Sequence, residues 1–157
     1  MEEKTVAELK IGQKAPAFKL PSTDGRIISL NDFAGKKIDL YFYPKDMTPG
    51  CTTEACSFRD NYSELQKRGA VILGISADSI QSHQKFSDKY ELPFLLLSDE
   101  NKEVSKAYGV WKQKSFLGKK YLGIERSTFI INEEGKIKTI FRKVKVAGHT
   151  EEILQNI

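Results

Sequence analysis

The amino-acid sequence predicts an α/β fold in which helices cover both faces of a central mixed β-sheet. Apolar runs of strand length alternate along the chain with segments of helical periodicity. The run "AVILGIS" (70–76) is apolar throughout, which is typical of a strand buried on both faces of its sheet. Near the end, "STFIINEEGKIKTIF" (127–141) predicts a hairpin that turns at Glu133-Glu134-Gly135. Alternating strands and helices followed by a hairpin favour a three-layer architecture.

The remaining elements follow from local signals. A pair of short strands is expected in 18–30, around a turn at Thr23-Asp24-Gly25. Pro44 ends a strand at 37–44, because proline has no N–H for the sheet ladder. We further expect a strand at 94–99, a surface loop at 110–123, and helices at 51–67 (closed by Gly69), 79–90, 102–109 and 149–157 (capped by Thr150).

Composition limits the class of protein. With 157 residues, 39% hydrophobic and 29% charged, the chain fits one domain, 1–157, with a core of its own. The start "MEEKTVAELK" has no apolar segment typical of a signal peptide, and no run approaches the ~20 apolar residues of a membrane span. We therefore expect a cytoplasmic protein with no membrane partner. The net charge of +4 is spread along the chain and does not indicate nucleic-acid binding.

The two cysteines of the chain, Cys51 and Cys56, lie five positions apart in a predicted helix. Helix geometry places such residues about 140° apart around the axis and roughly 8.5 Å apart at Cα. A disulfide needs Cα atoms within about 7 Å, so this pair can bond only if the helix unwinds locally. The spacing therefore favours a transient disulfide over a structural one.

Cys51 follows Thr48-Pro49-Gly50 and lies at the start of the helix. Unpaired N–H groups and the helix dipole favour a thiolate there, and a low-pKa thiolate is an activated nucleophile. The Thr48 hydroxyl is near enough to cap the helix, to bond the sulfur or to bond a substrate oxygen. Pro44 and Pro49 stiffen the loop that precedes Cys51.

Structural interpretations of the same residues stay open at this point. Cysteine is often a small buried hydrophobe, and a threonine before a helix is often only a cap. Zinc is not indicated, because the two sulfurs diverge and His83 and His149 are distant in sequence. A thioredoxin-type oxidoreductase would carry C-x-x-C, which the chain lacks.

The segment "YFYPKDMTPGCTTEACSFRD" resembles the active-site segment of the peroxiredoxins, specifically the bacterioferritin comigratory protein (peroxiredoxin Q) branch. The family pattern of Pro, three residues, Thr or Ser, two residues and Cys is met by Pro44, Thr48 and Cys51, and that branch often has a second cysteine at the position of Cys56. Other segments also resemble this branch, so the resemblance covers most of residues 6–157. Among these segments are "VILGISAD", "YGVW" and "IERSTFIINEEGKI". Asp39 and Asn132 depart from the pattern, since the family usually has an apolar residue and an aspartate there.

The resemblance implies a thioredoxin-like fold with an N-terminal β-hairpin extension, and reduction of hydrogen peroxide and organic hydroperoxides without metal or cofactor. It implies that Cys51 is the peroxidatic cysteine, which becomes a sulfenic acid, and that Cys56 resolves it as an intramolecular disulfide. Thioredoxin or a similar dithiol protein would then reduce the disulfide. Arg126 would lie near the sulfur and, with Thr48, bind the substrate. The branch is often monomeric, with a weak dimer as the alternative.

Glu54, one turn into the helix, is interpreted as a helix-start carboxylate with local hydrogen bonds. The segment 110–123 places four lysines among Trp111, Phe116 and Tyr121, and docking of a reductant or of a second subunit are the functional alternatives to a simple loop. For the whole chain the alternative function is a redox sensor, in which the same disulfide switches a binding surface. A purely structural role for the thiols predicts that Cys51→Ser changes nothing.

Overall fold

The computed structural model describes residues 8–157. Its strands are β1 (Lys19–Pro21), β2 (Ile27–Ser29), β3 (Lys37–Phe42), β4 (Ala70–Ser76), β5 (Leu95–Ser98), β6 (Trp111–Phe116), β7 (Lys119–Ile124), β8 (Ser127–Ile131) and β9 (Ile137–Arg142). Its α-helices are α1 (Pro49–Asp60), α2 (Tyr62–Lys67), α3 (Ile80–Tyr90), α4 (Glu103–Ala107) and α5 (His149–Asn156). Among these helices none has the length and apolar character that a bilayer crossing requires.

The central sheet has five strands in the order β5-β4-β3-β8-β9 and is mixed, as predicted. β3 pairs in parallel with β4 and antiparallel with β8. Successive residues of β3 point to opposite faces, so Leu40 and Phe42 enter one core cluster while Tyr41 and Tyr43 enter the other. Helices α1, α2, α3 and α5 contribute to the second cluster and α4 to the first, which confirms the three layers.

The β1–β2 pair forms the expected N-terminal hairpin, and β8–β9 forms the expected C-terminal one. In the β8–β9 connection the Asn132 side-chain oxygen accepts hydrogen bonds from the Glu134 and Lys136 backbone N–H groups at 3.0 Å. Asn132 is thus a turn residue, and its amide oxygen supplies the acceptor that an aspartate would supply there.

Three boundary predictions are wrong. The helix expected over 51–67 begins at Pro49 and is interrupted at Asn61, which separates α1 from α2. Thr150 is not the cap of the last helix, because Gly148 occupies that position with φ 77°. The Thr150 hydroxyl instead lies 2.5 Å from the Ser57 hydroxyl and ties α5 to α1. The third difference concerns 110–123, where the structure has the β6–β7 hairpin instead of a loop.

Asp39 lies in the middle of β3 and is fully buried on the face that carries α1. Neither of its carboxylate oxygens has a hydrogen-bond partner within residues 8–157. Burial, and secondarily the charge of Glu54, raises the pKa of Asp39 well above its usual value. The folded protein therefore favours the protonated form of Asp39 more strongly than the unfolded chain does.

We expect Asp39→Val to raise the free energy of unfolding by about 1–3 kcal/mol at pH 7, because it removes an unsatisfied buried carboxyl from a strand. Because the pKa of Asp39 is higher in the folded protein than in the unfolded chain, the free energy of unfolding of the wild type increases as pH falls. The difference in free energy of unfolding between Asp39→Val and the wild type therefore becomes smaller at lower pH. Urea denaturation at pH 7 and pH 5 measures both effects. Asp39→Asn is the control: it removes the ionisation but keeps an unpaired polar group. A variant less stable than the wild type at pH 7 would contradict the prediction.

Candidate active site

Cys51 lies in the first turn of α1, behind the loop that joins β3 to the helix. Thr48 is the N-cap residue, with extended backbone, and Pro49 is the first helical residue. The first intrahelical bond runs from the Thr52 N–H to the Thr48 carbonyl. The backbone N–H groups of Gly50 and Cys51 precede it and point out of the helix start, where they stabilise negative charge.

An apolar stripe at helical spacing runs along α1 and continues into α2. Cys51, Ala55, Phe58 and Leu65 are each at most 1% exposed, while Tyr62 is half-buried at the edge. Cys56 is half-buried on another side of the helix, as expected from the 140° separation. Both cysteines are free thiols on one continuous helix. Their bonding therefore requires α1 to unwind, as the spacing predicts.

Arg126 reaches the sulfur across the sheet. In the antiparallel pairing of β3 with β8, Phe42 lies opposite Ser127, so the residue before β8 is beside the carboxyl end of β3. The Arg126 Nη2 group donates a hydrogen bond to Cys51 Sγ at 3.2 Å. Gly50 leaves room for this contact, since a Cβ there would lie 3.2 Å from Nη2. A guanidinium at this distance stabilises a thiolate over a thiol.

Glu54 holds the other side of the guanidinium. Its Oε1 accepts a hydrogen bond from Arg126 Nη1 at 2.6 Å, and the carboxyl is 2% exposed. Burial raises the pKa of Glu54 to about 7, although the Arg126 charge opposes the increase. The interpretation of Glu54 as a locally bonded carboxylate is thus wrong: its partner lies 72 residues away in sequence.

Thr48 and Pro44 frame the loop that faces Cys51. The Thr48 side chain makes no capping hydrogen bond, and its hydroxyl donates instead to the Lys45 carbonyl at 2.8 Å. Because its hydrogen is used in that bond, the lone pairs of Thr48 Oγ1 remain available to accept a hydrogen bond from a bound ligand. Pro44 is half-buried two residues beyond the end of β3.

A buried side-chain cluster in the same loop was missed by the sequence analysis. The Asp46 carboxylate, 5% exposed, accepts hydrogen bonds from the hydroxyls of Tyr43 (2.6 Å) and Ser82 (2.8 Å). Its Oδ2 also lies 2.7 Å from Nδ1 of the fully buried His83. The Asp46 backbone N–H donates to Asp78 at 2.8 Å. These contacts join the middle of the loop to α3 and to the end of β4.

The contacts of His83 define where its protons lie. Its Nε2 is 2.9 Å from the Leu97 carbonyl, which only accepts, so Nε2 carries a hydrogen. Nδ1 makes the second hydrogen bond of the ring, with Asp46 Oδ2, and both groups are buried. Ligand atoms of Asp46, Asp78 and His83 lie within 4.8 Å of one another, but both ring nitrogens are already engaged in hydrogen bonds. The cluster is therefore a hydrogen-bonded anchor for the loop.

We expect His83→Leu to lower the free energy of unfolding by about 3–5 kcal/mol, because it leaves the Asp46 carboxylate buried without its main partner. Urea denaturation measures the loss. Lys85→Leu, a change at an exposed position of the same helix, is the control and is expected to alter stability by less than about 0.5 kcal/mol. A His83→Leu loss as small as that of the control would show that the pair does not anchor the loop.

Comparisons with known proteins agree with this geometry. The AhpC/TSA family model matches residues 11–140. The chain is 57% identical to the putative peroxiredoxin bcp of Coxiella burnetii over 146 residues, which cover 93% of this chain and 97% of that protein. It is 52% identical to peroxiredoxin Bcp of Bacillus subtilis, with 95% of each chain covered. A solved structure of the Xanthomonas campestris bacterioferritin comigratory protein superposes with a TM-score of 0.84 at 45% identity, covering 88% of each chain.

These matches span most of the chain, and the range matched by the family model, residues 11–140, contains Pro44, Thr48 and Cys51. The mixed sheet flanked by helices is the thioredoxin-like arrangement of the solved relatives. The chain therefore belongs to the AhpC/TSA family and, within it, to the peroxiredoxins of the bacterioferritin comigratory protein (peroxiredoxin Q) branch.

Proposed function

We propose that this protein is a thiol-dependent peroxidase that reduces hydrogen peroxide and organic hydroperoxides and so serves antioxidant defence. One observation carries the proposal: the buried Cys51 sulfur lies in the first turn of a helix, 3.2 Å from the Arg126 guanidinium. The names of its relatives support it, since they are peroxiredoxins, and the X. campestris protein is described for its alkyl peroxide reduction activity.

In the proposed first step the Cys51 thiolate attacks the terminal oxygen of the peroxide. A sulfur–oxygen bond forms, the O–O bond breaks, and the departing oxygen takes up a proton to leave as water or an alcohol. The sulfur is oxidised by two electrons to a sulfenic acid. Arg126 and the helix N–H groups stabilise the thiolate and the charge that develops on the leaving oxygen. Thr48 accepts a hydrogen bond from the substrate, and Pro44 shapes the loop around it.

In the second step the Cys56 thiolate attacks the Cys51 sulfenic sulfur. The disulfide forms and the sulfenic oxygen leaves as water. Since both residues lie on α1, the first turns of the helix must unwind before the sulfurs meet. A dithiol protein, thioredoxin or one like it, then returns both cysteines to thiols by exchange. All electrons pass through sulfur, so the proposed reaction uses no metal or organic cofactor.

We further propose that residues 1–157 form one domain that acts in the cytoplasm, where thiol reductants are available. A monomer suffices for this reaction, because both sulfurs, Thr48 and Arg126 belong to one chain, and a weak dimer is the alternative. No step involves nucleic acid or a membrane.

The test is steady-state consumption of hydrogen peroxide with thioredoxin, thioredoxin reductase and NADPH. We expect many equivalents of peroxide to be reduced per chain. A redox sensor would consume one equivalent and stop, because its disulfide is a signal and not an intermediate. Consumption that ends after one equivalent both with thioredoxin and with dithiothreitol would therefore contradict the peroxidase function.

A further inference from the structure

The β6–β7 hairpin carries most of the exposed apolar side chains of the described chain. Within residues 8–157, seven large hydrophobic side chains are exposed, and four of them belong to this hairpin: Phe116 (67% exposed), Leu117 (88%), Tyr121 (49%) and Leu122 (62%). A concentration of apolar surface on one projecting element is typical of an interaction site.

The turn of this hairpin has a residue that folding does not explain. Leu117 and Gly118 form a two-residue turn with φ values of 51° and 79°. Two positive φ values define the turn in which Asn-Gly is favoured, whereas leucine is rarely found in that conformation. Leu117 adopts it while packing against nothing, at 88% exposure. An apolar residue that neither suits the turn nor enters the core indicates a binding role.

The hairpin is also positively charged. The net charge of +4 is therefore not spread along the chain, as the sequence analysis expected: residues 111–124 contain four lysines and no aspartate or glutamate, and the charges of the remaining 143 residues balance to zero. Lys112 pairs with Glu125 at 3.4 Å. Within residues 8–157, Lys114, Lys119 and Lys120 have no carboxylate within 4.0 Å. A partner with carboxylates around an apolar patch would complement this surface.

One face of the hairpin is directed towards the active site. Lys114 lies opposite Tyr121 and Phe116 opposite Lys119, so these four side chains share a face. Lys114 is half-buried on this face; burial lowers its pKa, the Arg126 charge lowers it further, and the charges of Cys51 and Glu125 oppose the change. β7 ends at Ile124, two residues before Arg126.

We propose that Lys114, Phe116, Lys119 and Tyr121 on one face of the hairpin, together with Leu117 of the turn and Lys120 next to the tip on the other face, form a docking surface, here called the hairpin patch. On it a protein dithiol with an apolar, acid-rimmed active site docks to reduce the Cys51–Cys56 disulfide. The inference rests on the proposed function. One thiolate of the partner attacks a sulfur of the disulfide and releases the other cysteine as a thiolate. The partner's second thiolate then attacks the partner's own first sulfur in this mixed disulfide and displaces the remaining cysteine of this protein as a thiolate. Two electrons have then passed to Cys51 and Cys56, and the partner leaves as a disulfide.

The test compares a protein reductant with a small one. Leu117→Asn suits the turn better than leucine, so the variant is expected to fold, and Lys119→Glu/Lys120→Glu reverses charge at exposed positions. For each variant we expect kcat/KM for thioredoxin to fall about tenfold, while turnover with dithiothreitol and the rate of peroxide reaction with the reduced protein stay unchanged. The matched controls are Ile27→Asn and Lys138→Glu, which change exposed residues elsewhere and are expected to change neither reaction.

Salt provides a second measurement. Raising the ionic strength is expected to lower kcat/KM for thioredoxin in the wild type and to have little effect in Lys119→Glu/Lys120→Glu. Equal losses with both reductants, or no loss with either, would overturn the proposal. A wild type that turns over with dithiothreitol but not with thioredoxin would also overturn it. The same holds if the variants lose self-association, vesicle binding or DNA binding while their kinetics with thioredoxin stay unchanged. A wild type inactive with both reductants would refute the peroxidase function itself and the docking proposal with it.

Discussion

Cys51→Ser is expected to reduce peroxide consumption to the background rate with thioredoxin and with dithiothreitol. The serine hydroxyl remains un-ionised at neutral pH beside the same Arg126 group, and its oxygen cannot take the place of sulfur in a sulfenic acid. Serine is close in size to cysteine, so the core contacts of α1 are retained. The measurement is NADPH oxidation in the coupled assay, with circular dichroism to show that the helix content is unchanged.

Cys56→Ser is the matched control on the same helix. It keeps the Cys51 nucleophile, so one equivalent of peroxide is expected to be consumed and one sulfenic acid to form, which a carbon nucleophile selective for sulfenic acids traps. Cycling with thioredoxin is expected to be lost, because no intramolecular disulfide forms. Normal thioredoxin-linked turnover in Cys56→Ser would show that Cys56 is not the resolving cysteine. Turnover above the background rate in Cys51→Ser would show that Cys51 is not the nucleophile.

The sequence predicts those parts of the site that depend on local chemistry. β4 has the predicted bounds, and the apolar stripe of α1 follows from helical spacing, since burial on a helix is periodic. The turn at Thr23-Asp24-Gly25 is likewise set by local turn residues. These features depend on residues within a few positions of one another, so a single sequence is enough to predict them.

Other parts of the site depend on strand pairing and could not be derived from one sequence. Arg126 approaches Cys51 because β8 pairs with β3 in a particular register, which no local pattern specifies. Glu54 was interpreted as a helix-start carboxylate with local hydrogen bonds, whereas it is buried against Arg126, 72 residues away in sequence. The contact between Asp46 and His83 likewise depends on the tertiary fold, because the two residues are 37 positions apart in sequence and no local pattern joins them.

The hairpin at 110–123 was expected to be a loop for a different reason. Its strands bury little, so the alternation of apolar and polar residues that marks a half-buried strand is weak, and lysines interrupt it. Its turn residues, Leu117-Gly118, also lack the Asn-Gly signal of a two-residue hairpin. A strand pair that contributes little to the core need not show the pattern of one that builds it.

Arg126→Met is expected to lower the second-order rate constant for peroxide about 10²–10³-fold, because it removes the donor nearest the sulfur and the charge that stabilises the leaving oxygen. Methionine retains much of the apolar stem of arginine. Stopped-flow oxidation of the reduced protein measures this step apart from the reductant. A rate within threefold of the wild type would show that Arg126 is not part of the reaction.

The same variant leaves Glu54 buried without its cation, so stability must be separated from chemistry. The pKa of Glu54 is about 7 in the fold, above its unfolded value, so its stabilising proton is lost as pH rises through that value. Without Arg126 the pKa rises further, and the stability deficit of Arg126→Met is expected to be larger at pH 8.5 than at pH 6. Adding Glu54→Gln removes the ionisable group, so the double variant should lose this pH dependence. The second-order rate constant of the double variant for peroxide should stay as low as that of Arg126→Met. The slow reaction is due to the missing guanidinium and not to misfolding.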